Sequence, residues 1–272
     1  MLWLWWAAGA VWMAAATFSI ARRHGIGPVG GVILGPGAVA LLYAGSRLHY
    51  LLANAGGVQP AVNLVALLDQ GPRAVLFGPG VHVPGGMLLV FLAAWFVCRR
   101  TGLSLARVGD QLLPALAPGF VLIRLGCFSA GCCFGVPTEM PWGVRFPVGT
   151  GAYWVHSARG LLDDEAMRSL PVHPTQLYFA AVWLAVAFAA LAWKRRQVRD
   201  GEACLLGLVV WGIGQVIVES FRDPDYLQGT PYLRESGIAA VLLGTLVLSG
   251  LRIGYGRAVR RAVRPSWQRE RT

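Results

Sequence analysis

The chain has 272 residues, of which 56% are hydrophobic and only 14% are charged, and its net charge is +11. Soluble domains contain about a quarter charged residues, so this composition excludes an ordinary soluble globule and favours a protein embedded in a bilayer. The basic residues are sorted by loop and do not form one patch. This pattern indicates membrane topology and anionic lipid headgroups, and no nucleic-acid partner.

Seven apolar runs, taken in chain order, are candidates for membrane-spanning helices, since a span needs roughly 20 mostly apolar residues. They cover residues 2–20, 29–52, 75–97, 111–125, 176–193, 203–219 and 237–251. The first run begins without a basic segment and ends without a cleavage pattern, so we expect a retained helix and not a signal peptide. The fourth run is short and contains Pro114 and Pro118. The pattern predicts an all-α, polytopic membrane protein of about seven transmembrane helices.

Lysine and arginine concentrate in every second loop, which gives the predicted orientation because cytoplasmic loops are rich in these residues. They follow the first, third, fifth and seventh runs, at residues 22–23, 99–107, 194–199 and 252–271. We therefore predict an N-terminus outside and a C-terminus in the cytoplasm. The predicted domains are a transmembrane helical domain over 1–251, with an outer-face loop region at 126–175, and a basic cytoplasmic tail over 252–272.

The outer-face loop region carries aromatic residues typical of a membrane interface, namely Trp142, Tyr153 and Trp154. Its acidic stretch at residues 161–168 predicts a short helix. This region and the outer ends of the neighbouring runs hold the polar residues that are candidates for a functional site, because charges near the bilayer core usually face a cavity or a partner.

Three charged residues stand at the outer ends of two predicted helices. Arg124 ends the fourth run, where its guanidinium either reaches up to water or binds a phosphate through two parallel hydrogen bonds. Glu219 and Arg222 end the sixth run, and their i, i+3 spacing makes them neighbours on a helix. They form either a structural ion pair or one wall of a lipid-headgroup site.

Two histidines are candidates for the site. His173, followed by Gln176 and Tyr178, opens the fifth run with Pro174 at a position that suits a helix start. It is either a structural group or part of a site with several hydrogen-bonding side chains. His82 precedes Gly85 and Gly86 in the third run. Those two glycines allow close approach of a helix or of a ligand.

Three of the five cysteines lie within seven residues, Cys127, Cys132 and Cys133, beside Gly131. Zinc sites usually combine two separated ligand pairs, and the sequence holds no second pair, so no metal site is predicted. A disulfide, a reactive thiol and a tight turn of small residues remain open alternatives. Cys98 and Cys204 lie inside apolar runs, where a cysteine usually acts as a small buried hydrophobe.

Five segments, in matching order along the chain, resemble the bacterial prolipoprotein diacylglyceryl transferase family. Residues 124–131 (RLGCFSAG) resemble its signature R-x-G-N-F-x-N-G-E, and residues 173–178 (HPTQLY) resemble its H-P-[ST]-Q-L-Y-E motif. Residues 219–225 (ESFRDPD) resemble its E-x-x-R-x-P-D motif. Residues 45–48 (GSRL) resemble its G-A-R-L, and residues 141–147 (PWGVRFP) resemble the segment after its signature. The match at HPTQLY is the most specific.

The resemblance implies a seven-span enzyme of the bacterial plasma (inner) membrane. Such an enzyme transfers diacylglycerol from phosphatidylglycerol to the thiol of a lipobox cysteine in a prolipoprotein signal peptide, at the outer leaflet and without a metal or other cofactor. The catalytic residues that it implies are Arg124, His173, Glu219, Arg222 and His82. The substrate-binding residues that it implies are Gly85, Gly86, Cys127, Gly131, Gln176, Tyr178 and Gln215.

Several positions depart from the family's pattern. Pro84 stands where the family has a histidine before its paired glycines, and Gln215 stands where it has an arginine. Cys127 replaces an asparagine of the signature, and Phe179 replaces the glutamate that follows HPTQLY. These departures leave two alternatives open. One is a divergent paralogue with thiol-dependent redox chemistry, and the other is a non-catalytic phospholipid-binding membrane protein.

Overall fold

A computed structural model of the chain describes residues 2–54, 71, 83–163, 165–197, 199–223, 238–239, 241–247 and 249. Its helices are α1 (Leu2–Arg23), α2 (Pro28–Leu34), α3 (Pro36–Asn54), α4 (Val83–Thr101), α5 (Leu105–Ala130), α6 (Gly151–Ala158), α7 (Thr175–Lys194) and α8 (Glu202–Glu219). The described part of the chain contains isolated β-bridges and no strand. His82, the start of the predicted third run and the basic tail lie outside the described residues. Of the predicted seventh run, residues 238–239, 241–247 and 249 are described, and they are helical.

The all-helical class is confirmed, and five helical segments of the described chain are long and apolar enough to cross a membrane. They are Leu4–Arg23, Pro28–Leu52, Leu105–Ala130, Thr175–Lys194 and Glu202–Glu219. They correspond to the predicted first, second, fourth, fifth and sixth runs. The third run is represented by the 19-residue helix α4. A total of seven spans and the orientation of the termini stay predictions.

The helices pack as a row of α1, α5, α7 and α8, with α3 and α4 packed as a pair beside α1. Small residues and aromatic rings make the contacts within the row. A Cβ atom on Gly9 of α1 would lie 2.8 Å from the carbonyl oxygen of Gly119 in α5, and Phe120 of α5 stacks on Trp183 of α7 at 4.1 Å. Such close approach is usual between membrane helices, because small side chains let the backbones pack together.

Gly85 and Gly86, predicted to bind substrate, lie in the contact between α4 and α3. A Cβ atom on Gly85 would meet His49, and one on Gly86 would meet the backbone of Leu42. The structure therefore gives these two glycines a packing role, the simpler of their two interpretations. A substrate-binding role for them stays a prediction.

Helix α5 is longer than its sequence predicted, since it begins at Leu105 and continues through Pro114 and Pro118 to Ala130. The hydroxyl of Ser104 caps its start by accepting a hydrogen bond from the backbone N–H of Arg107 at 3.3 Å. Prolines are tolerated within membrane helices because neighbouring helices satisfy the backbone groups that they free. The added residues at its end, 126–130, extend the helix to Cys127 and to the turn that follows it.

Asp110 is a buried carboxylate of α5 that caps the start of α8. Its side chain is 2% exposed and accepts hydrogen bonds from the backbone N–H of Gly201 at 2.7 Å and of Cys204 at 2.8 Å. It also accepts one from Nε2 of Gln197 at 3.2 Å. The first N–H groups of a helix have no partner inside that helix. Asp110 therefore ties the loop between α7 and α8 to α5.

Replacing Asp110 with alanine is expected to lower the free energy of unfolding by about 3 kcal/mol, because buried donors left without a partner cost about 1–3 kcal/mol each. The apparent melting temperature of the detergent-solubilised protein measures the loss. Asp200→Ala is the matched control, since that carboxylate pairs with Arg107 in an exposed contact and such pairs contribute little. Equal shifts for the two variants would contradict the capping role.

The short helix predicted over residues 161–168 is wrong. The helix of this region is α6 (Gly151–Ala158), and it is followed by Gly160 at a φ of 67°. After that turn the backbone pairs with another segment, since Met167 accepts a hydrogen bond from the N–H of Val148 at 3.2 Å and Ser169 donates one to Phe146 at 2.8 Å. The end of the acidic stretch thus pairs with residues 146–148 and does not form a helix.

The outer-face loop region has an apolar core of its own, formed by Phe134, Phe146, Ala152 and Val172. His156 of α6 is fully buried beside it, with its ring edge-on to Phe134 at 5.6 Å. Its Nδ1 accepts a hydrogen bond from the backbone N–H of Leu170 at 3.2 Å. Burial lowers the pKa of His156, and the positive charge of Arg159 lowers it further.

The free energy of unfolding is expected to fall as the pH drops below about 6.5, the ordinary pKa of histidine. The unfolded chain takes up a proton on His156 there, whereas the folded chain resists it, so protonation favours unfolding. At higher pH the ring is neutral in both states and the effect vanishes. The difference in melting temperature between the wild type and His156→Gln should be constant at high pH and should change as the pH falls below about 6.5, because only the wild type then loses this stability. Parallel curves would contradict the assignment.

Candidate active site

The chain turns sharply where α5 ends, and this turn carries two cysteines. Gly131 adopts a left-handed conformation with a φ of 61°, and Cys133 follows with a φ of 57°, which is uncommon for a residue with a side chain. A Cβ atom on Gly131 would lie 2.7 Å from Cβ of Thr150. The backbone N–H of Cys132 donates to the carbonyl of Cys127 at 3.2 Å. Gly131 thus serves the shape of the turn.

The first residues of α7 hold this turn in place. The hydroxyl of Thr175 donates to the carbonyl oxygen of Cys133 at 2.6 Å, and Nε2 of Gln176 donates to that of Cys132 at 2.6 Å. Both side chains are fully buried. Gln176, predicted to bind substrate, is therefore placed as a support for the cysteine turn. Its oxygen Oε1 has no hydrogen-bond partner among the described residues.

The three thiols of Cys127, Cys132 and Cys133 form one cluster, with all three sulfur atoms within 4.8 Å of one another. Cys127 is buried, and the other two are partly exposed. All five cysteines are free, so the disulfide alternative is not what the structure contains. Hydrogen bonds from Cys127 and Cys132, together with Arg222 and Arg124, hold the pKa of Cys133 below its usual value.

Arg124 and Arg222 meet over one aromatic ring, that of Phe179. The central guanidinium carbon of Arg124 lies 4.2 Å from the ring centroid, and that of Arg222 lies 5.9 Å from it. These distances are within the range of cation–π attraction. Within the described residues Arg124 has no carboxylate partner, and it is partly exposed. Its guanidinium is therefore available to an anion.

Glu219 and Arg222 form a buried ion pair, as their spacing predicted. The distance from Nη1 of Arg222 to Oε1 of Glu219 is 2.8 Å, and the two side chains are only 5% and 8% exposed. Nε2 of Gln215 donates to the same carboxylate oxygen at 3.1 Å. The Nε atom of Arg222 is buried and has no partner among the described residues. The pair thus holds Arg222 while leaving one of its donors unused.

His173 and Tyr178 form a second polar group at the start of α7. Nδ1 of His173 lies 3.1 Å from the hydroxyl of Tyr178, which accepts a hydrogen bond from the indole of Trp142 at 2.8 Å. The His173 ring also packs against Phe221, with 5.0 Å between ring centroids. The backbone of His173 pairs with Gly135 and Val136. These contacts fix the orientation of the imidazole.

Two further contacts of the site are not marked by any pattern in the sequence. Phe179 departs from the family pattern, and the guanidinium groups of both Arg124 and Arg222 lie over its ring. Arg159 forms a bidentate ion pair with Asp223 at 2.8 and 3.1 Å, and Asp223 is buried. This pair joins the end of α6 to the chain just after α8. Both contacts link residues far apart in sequence, so no spacing pattern marks them.

Comparison with known proteins identifies the family in which this arrangement belongs. The family model described as prolipoprotein diacylglyceryl transferase matches residues 7–267. The chain belongs to the prolipoprotein diacylglyceryl transferase family. The cysteine cluster and the arginines over Phe179 are thus features of a member of a transferase family.

Three relatives carry the name phosphatidylglycerol–prolipoprotein diacylglyceryl transferase. The one from Clostridium tetani is 30% identical over 202 residues, which cover 73% of this chain and 67% of the relative. The one from Legionella pneumophila is 36% identical over 149 residues, 54% of this chain and 50% of the relative. The one from Zymomonas mobilis is 33% identical over 195 residues, 70% of this chain and 59% of the relative. The aligned parts therefore span one half to about two thirds of these relatives.

Proposed function

We propose that the chain is a transferase of lipoprotein biosynthesis that moves diacylglycerol from phosphatidylglycerol to the thiol of a lipobox cysteine in a prolipoprotein. Its family and the names of its relatives support this function over the redox and non-catalytic alternatives. The observation that carries the proposal is Arg124, a guanidinium with no carboxylate partner among the described residues, stacked on Phe179 beside Arg222.

The two arginines suit the phosphate of the lipid donor. A guanidinium offers donors in a planar fork that matches phosphate oxygens, and such charge-assisted hydrogen bonds are strong in a partly buried site. Nε of Arg222 is a buried donor without a partner in the described part of the chain, as expected of a group that awaits a ligand. Glu219 balances one of the two positive charges, so the site keeps one for the phosphodiester.

In the proposed reaction, the acceptor thiol gives up its proton to water, and its sulfur attacks the carbon of the diacylglycerol unit that bears the phosphate ester. A carbon–sulfur bond forms and the carbon–oxygen bond to the phosphate breaks. The electron pair leaves with the oxygen as glycerol phosphate, which carries more negative charge than the diester did. Donors already aimed at the phosphate stabilise that developing charge, and this is the catalytic role that we assign to Arg124 and Arg222.

His173, His82 and Gln215 complete the proposed site as the family resemblance implies. His173 is oriented by Tyr178 and lies next to the cysteine turn through its neighbours Thr175 and Gln176. Gln215 acts through Glu219, whose carboxylate it helps to hold. The role of His82, and the roles of Gly85 and Gly86 toward substrate, rest on the resemblance alone.

The proposed topology has seven spans in the bacterial plasma membrane, with the N-terminus outside and the C-terminus in the cytoplasm. Basic residues lie in the last turns of α1, α4 and α7, and the cysteine cluster lies at the C-terminal end of α5. Because basic residues favour the cytoplasmic side, the candidate site faces outward, where the phospholipid and the acceptor signal peptide meet.

The test is transfer by the purified full chain, reconstituted in vesicles that contain phosphatidylglycerol labelled in its acyl chains. A peptide with a lipobox cysteine is the acceptor, and the same peptide with serine at that position is the control. Label on the cysteine peptide with release of glycerol phosphate is the expected result. If no glycerol phosphate is released when both phosphatidylglycerol and the cysteine peptide are present, the proposal is overturned. Vesicles that hold only phosphatidylethanolamine test the donor.

A further inference from the structure

The cysteine cluster has dimensions that fit a metal ion. The sulfur atoms of Cys127, Cys132 and Cys133 all lie within 4.8 Å of one another. Thiolates bind Zn²⁺ at about 2.3 Å, so two thiolates on one tetrahedral ion lie about 3.8 Å apart. The triangle of sulfurs therefore needs little adjustment to share one ion. Their spacing within a single turn is not the two-pair pattern of zinc fingers, which is why the sequence alone argued against a metal.

Hydrogen bonds from neighbouring side chains support the cysteine residues, as is usual for metal ligands. Cys133 has a left-handed backbone conformation, its sulfur lies within 4.8 Å of that of Cys127 in the last turn of α5, and its carbonyl is fixed by Thr175. Gln176 fixes the carbonyl of Cys132 in the same way. Supporting hydrogen bonds of this kind orient ligands and strengthen metal sites. The fully buried Thr175 and Gln176 thus give the cysteine turn one defined shape.

The charges around the cluster suit a cation bound by three thiolates. Three thiolates and one divalent cation carry a net charge of about −1, since each thiolate contributes one negative charge. Arg124 lies on α5 three residues before Cys127, and Arg222 shares the ring of Phe179 with it. Their positive charge favours a negative metal–thiolate group there, while Glu219 offsets one of the two charges.

Among the described residues, the site offers three ligands. No histidine or acidic side chain of the described residues joins the three cysteines in this cluster. Zinc sites with four protein ligands are structural, whereas those with three leave one position for water or substrate. Cys132 and Cys133 are partly exposed residues, whereas Cys127 is buried, so the open position is expected on the side of Cys132 and Cys133. A thiol that enters such a position loses its proton to the metal's charge.

We propose that Cys127, Cys132 and Cys133 bind a thiophilic divalent cation of the Zn²⁺ type, and that its open position takes the thiol of the acceptor cysteine. This inference rests on the proposed function. On binding, the acceptor thiol releases its proton to water and remains as a metal-bound thiolate. Its lone pair then forms the carbon–sulfur bond, the carbon–oxygen bond breaks, and glycerol phosphate leaves with the electron pair toward Arg124 and Arg222. No oxidant or reductant takes part.

The first test measures metal binding by the purified full chain in detergent, kept reduced and equilibrated with Zn²⁺ alone. After gel filtration, elemental analysis should find one Zn²⁺ per chain. The variants Cys127→Ser, Cys132→Ser and Cys133→Ser should each lose it, while Cys98→Ser/Cys204→Ser should keep it. Co²⁺ added to the wild type should show thiolate charge-transfer absorption, which reports binding without any variant. A wild type that retains no metal and shows no such absorption overturns the inference.

The second test separates this inference from the proposed function. The rate of lipid transfer should fall at least tenfold when a chelator strips the protein, and should return when Zn²⁺ is restored. A stripped protein that transfers lipid at the full rate overturns the inference and leaves the proposed function intact. Stoichiometric Zn²⁺ on the cysteines without transfer to any lipobox peptide overturns the proposed function, while the cation site stands on the binding measurement.

Discussion

Replacing Arg124 with alanine is expected to lower the rate of diacylglyceryl transfer by about 100- to 1000-fold, the usual effect of removing one donor that stabilises developing negative charge. The guanidinium has no carboxylate partner among the described residues and lies over Phe179, so its contribution is directed at the ligand. Arg124→Lys should retain part of the rate, because an ammonium keeps the charge but lacks the planar fork. Transfer from labelled phosphatidylglycerol measures both effects.

The stability of these variants provides the necessary check. Arg124 makes no hydrogen bond within the described residues, so its loss should leave the apparent melting temperature nearly unchanged. Arg107→Ala is the matched arginine control, since that side chain is 60% exposed and lies at the opposite end of α5. It should transfer lipid at the wild-type rate. An Arg124→Ala variant that keeps more than half of the wild-type rate would contradict a phosphate-binding role.

Replacing Glu219 with leucine is expected to lower the free energy of unfolding by about 3–5 kcal/mol, since it leaves the buried charge of Arg222 without its partner. Transfer should be lost as well, because Arg222 would no longer be held toward the site. The apparent melting temperature and the transfer rate measure the two effects. Asp200→Leu breaks an exposed pair instead and should change stability by less than about 1 kcal/mol.

A double variant distinguishes the structural role of the pair from its catalytic role. Glu219→Leu combined with Arg222→Met removes both buried charges, and well-packed apolar replacements of a buried pair are often as stable as the original. We expect this variant to recover most of the lost stability and none of the lost transfer. If transfer returned together with stability, Arg222 would have no part in the reaction.

The helices were largely predictable because hydropathy and loop charge act locally. Predicted runs and observed helices agree within one residue at the ends of α7 and α8. The exceptions have tertiary causes. Helix α5 begins six residues before its predicted start, because Asp110 is buried by its contacts with Gly201 and Cys204 and does not mark the end of a span. Helix α6 has only eight residues, so its sequence shows no helical periodicity by which it could be predicted.

The candidate site was predictable only as a set of residues and not as an arrangement. Glu219 and Arg222 are helical neighbours, and their pairing followed from spacing. Arg124 and Arg222 lie over the same ring of Phe179 because of how α5, α7 and α8 pack. This packing cannot be read from a single sequence. The role of Gln176 was also hidden, because nothing in the sequence shows that a buried amide on one helix holds a carbonyl at the end of another.

The hydrogen bonds from Thr175 and Gln176 to the cysteine turn also close the outer-face excursion at its base. The chain leaves the site at Cys133 and returns to it at Thr175, so the two ends of the intervening segment are fixed by the same contacts. Surface segments anchored in this way tolerate changes of length and sequence better than the elements that they connect. The segment is thus a folded unit with its own apolar core, attached at one base. Under the proposed function, preference for particular acceptor proteins can evolve on its exposed surface while Arg124 and Arg222 stay constant.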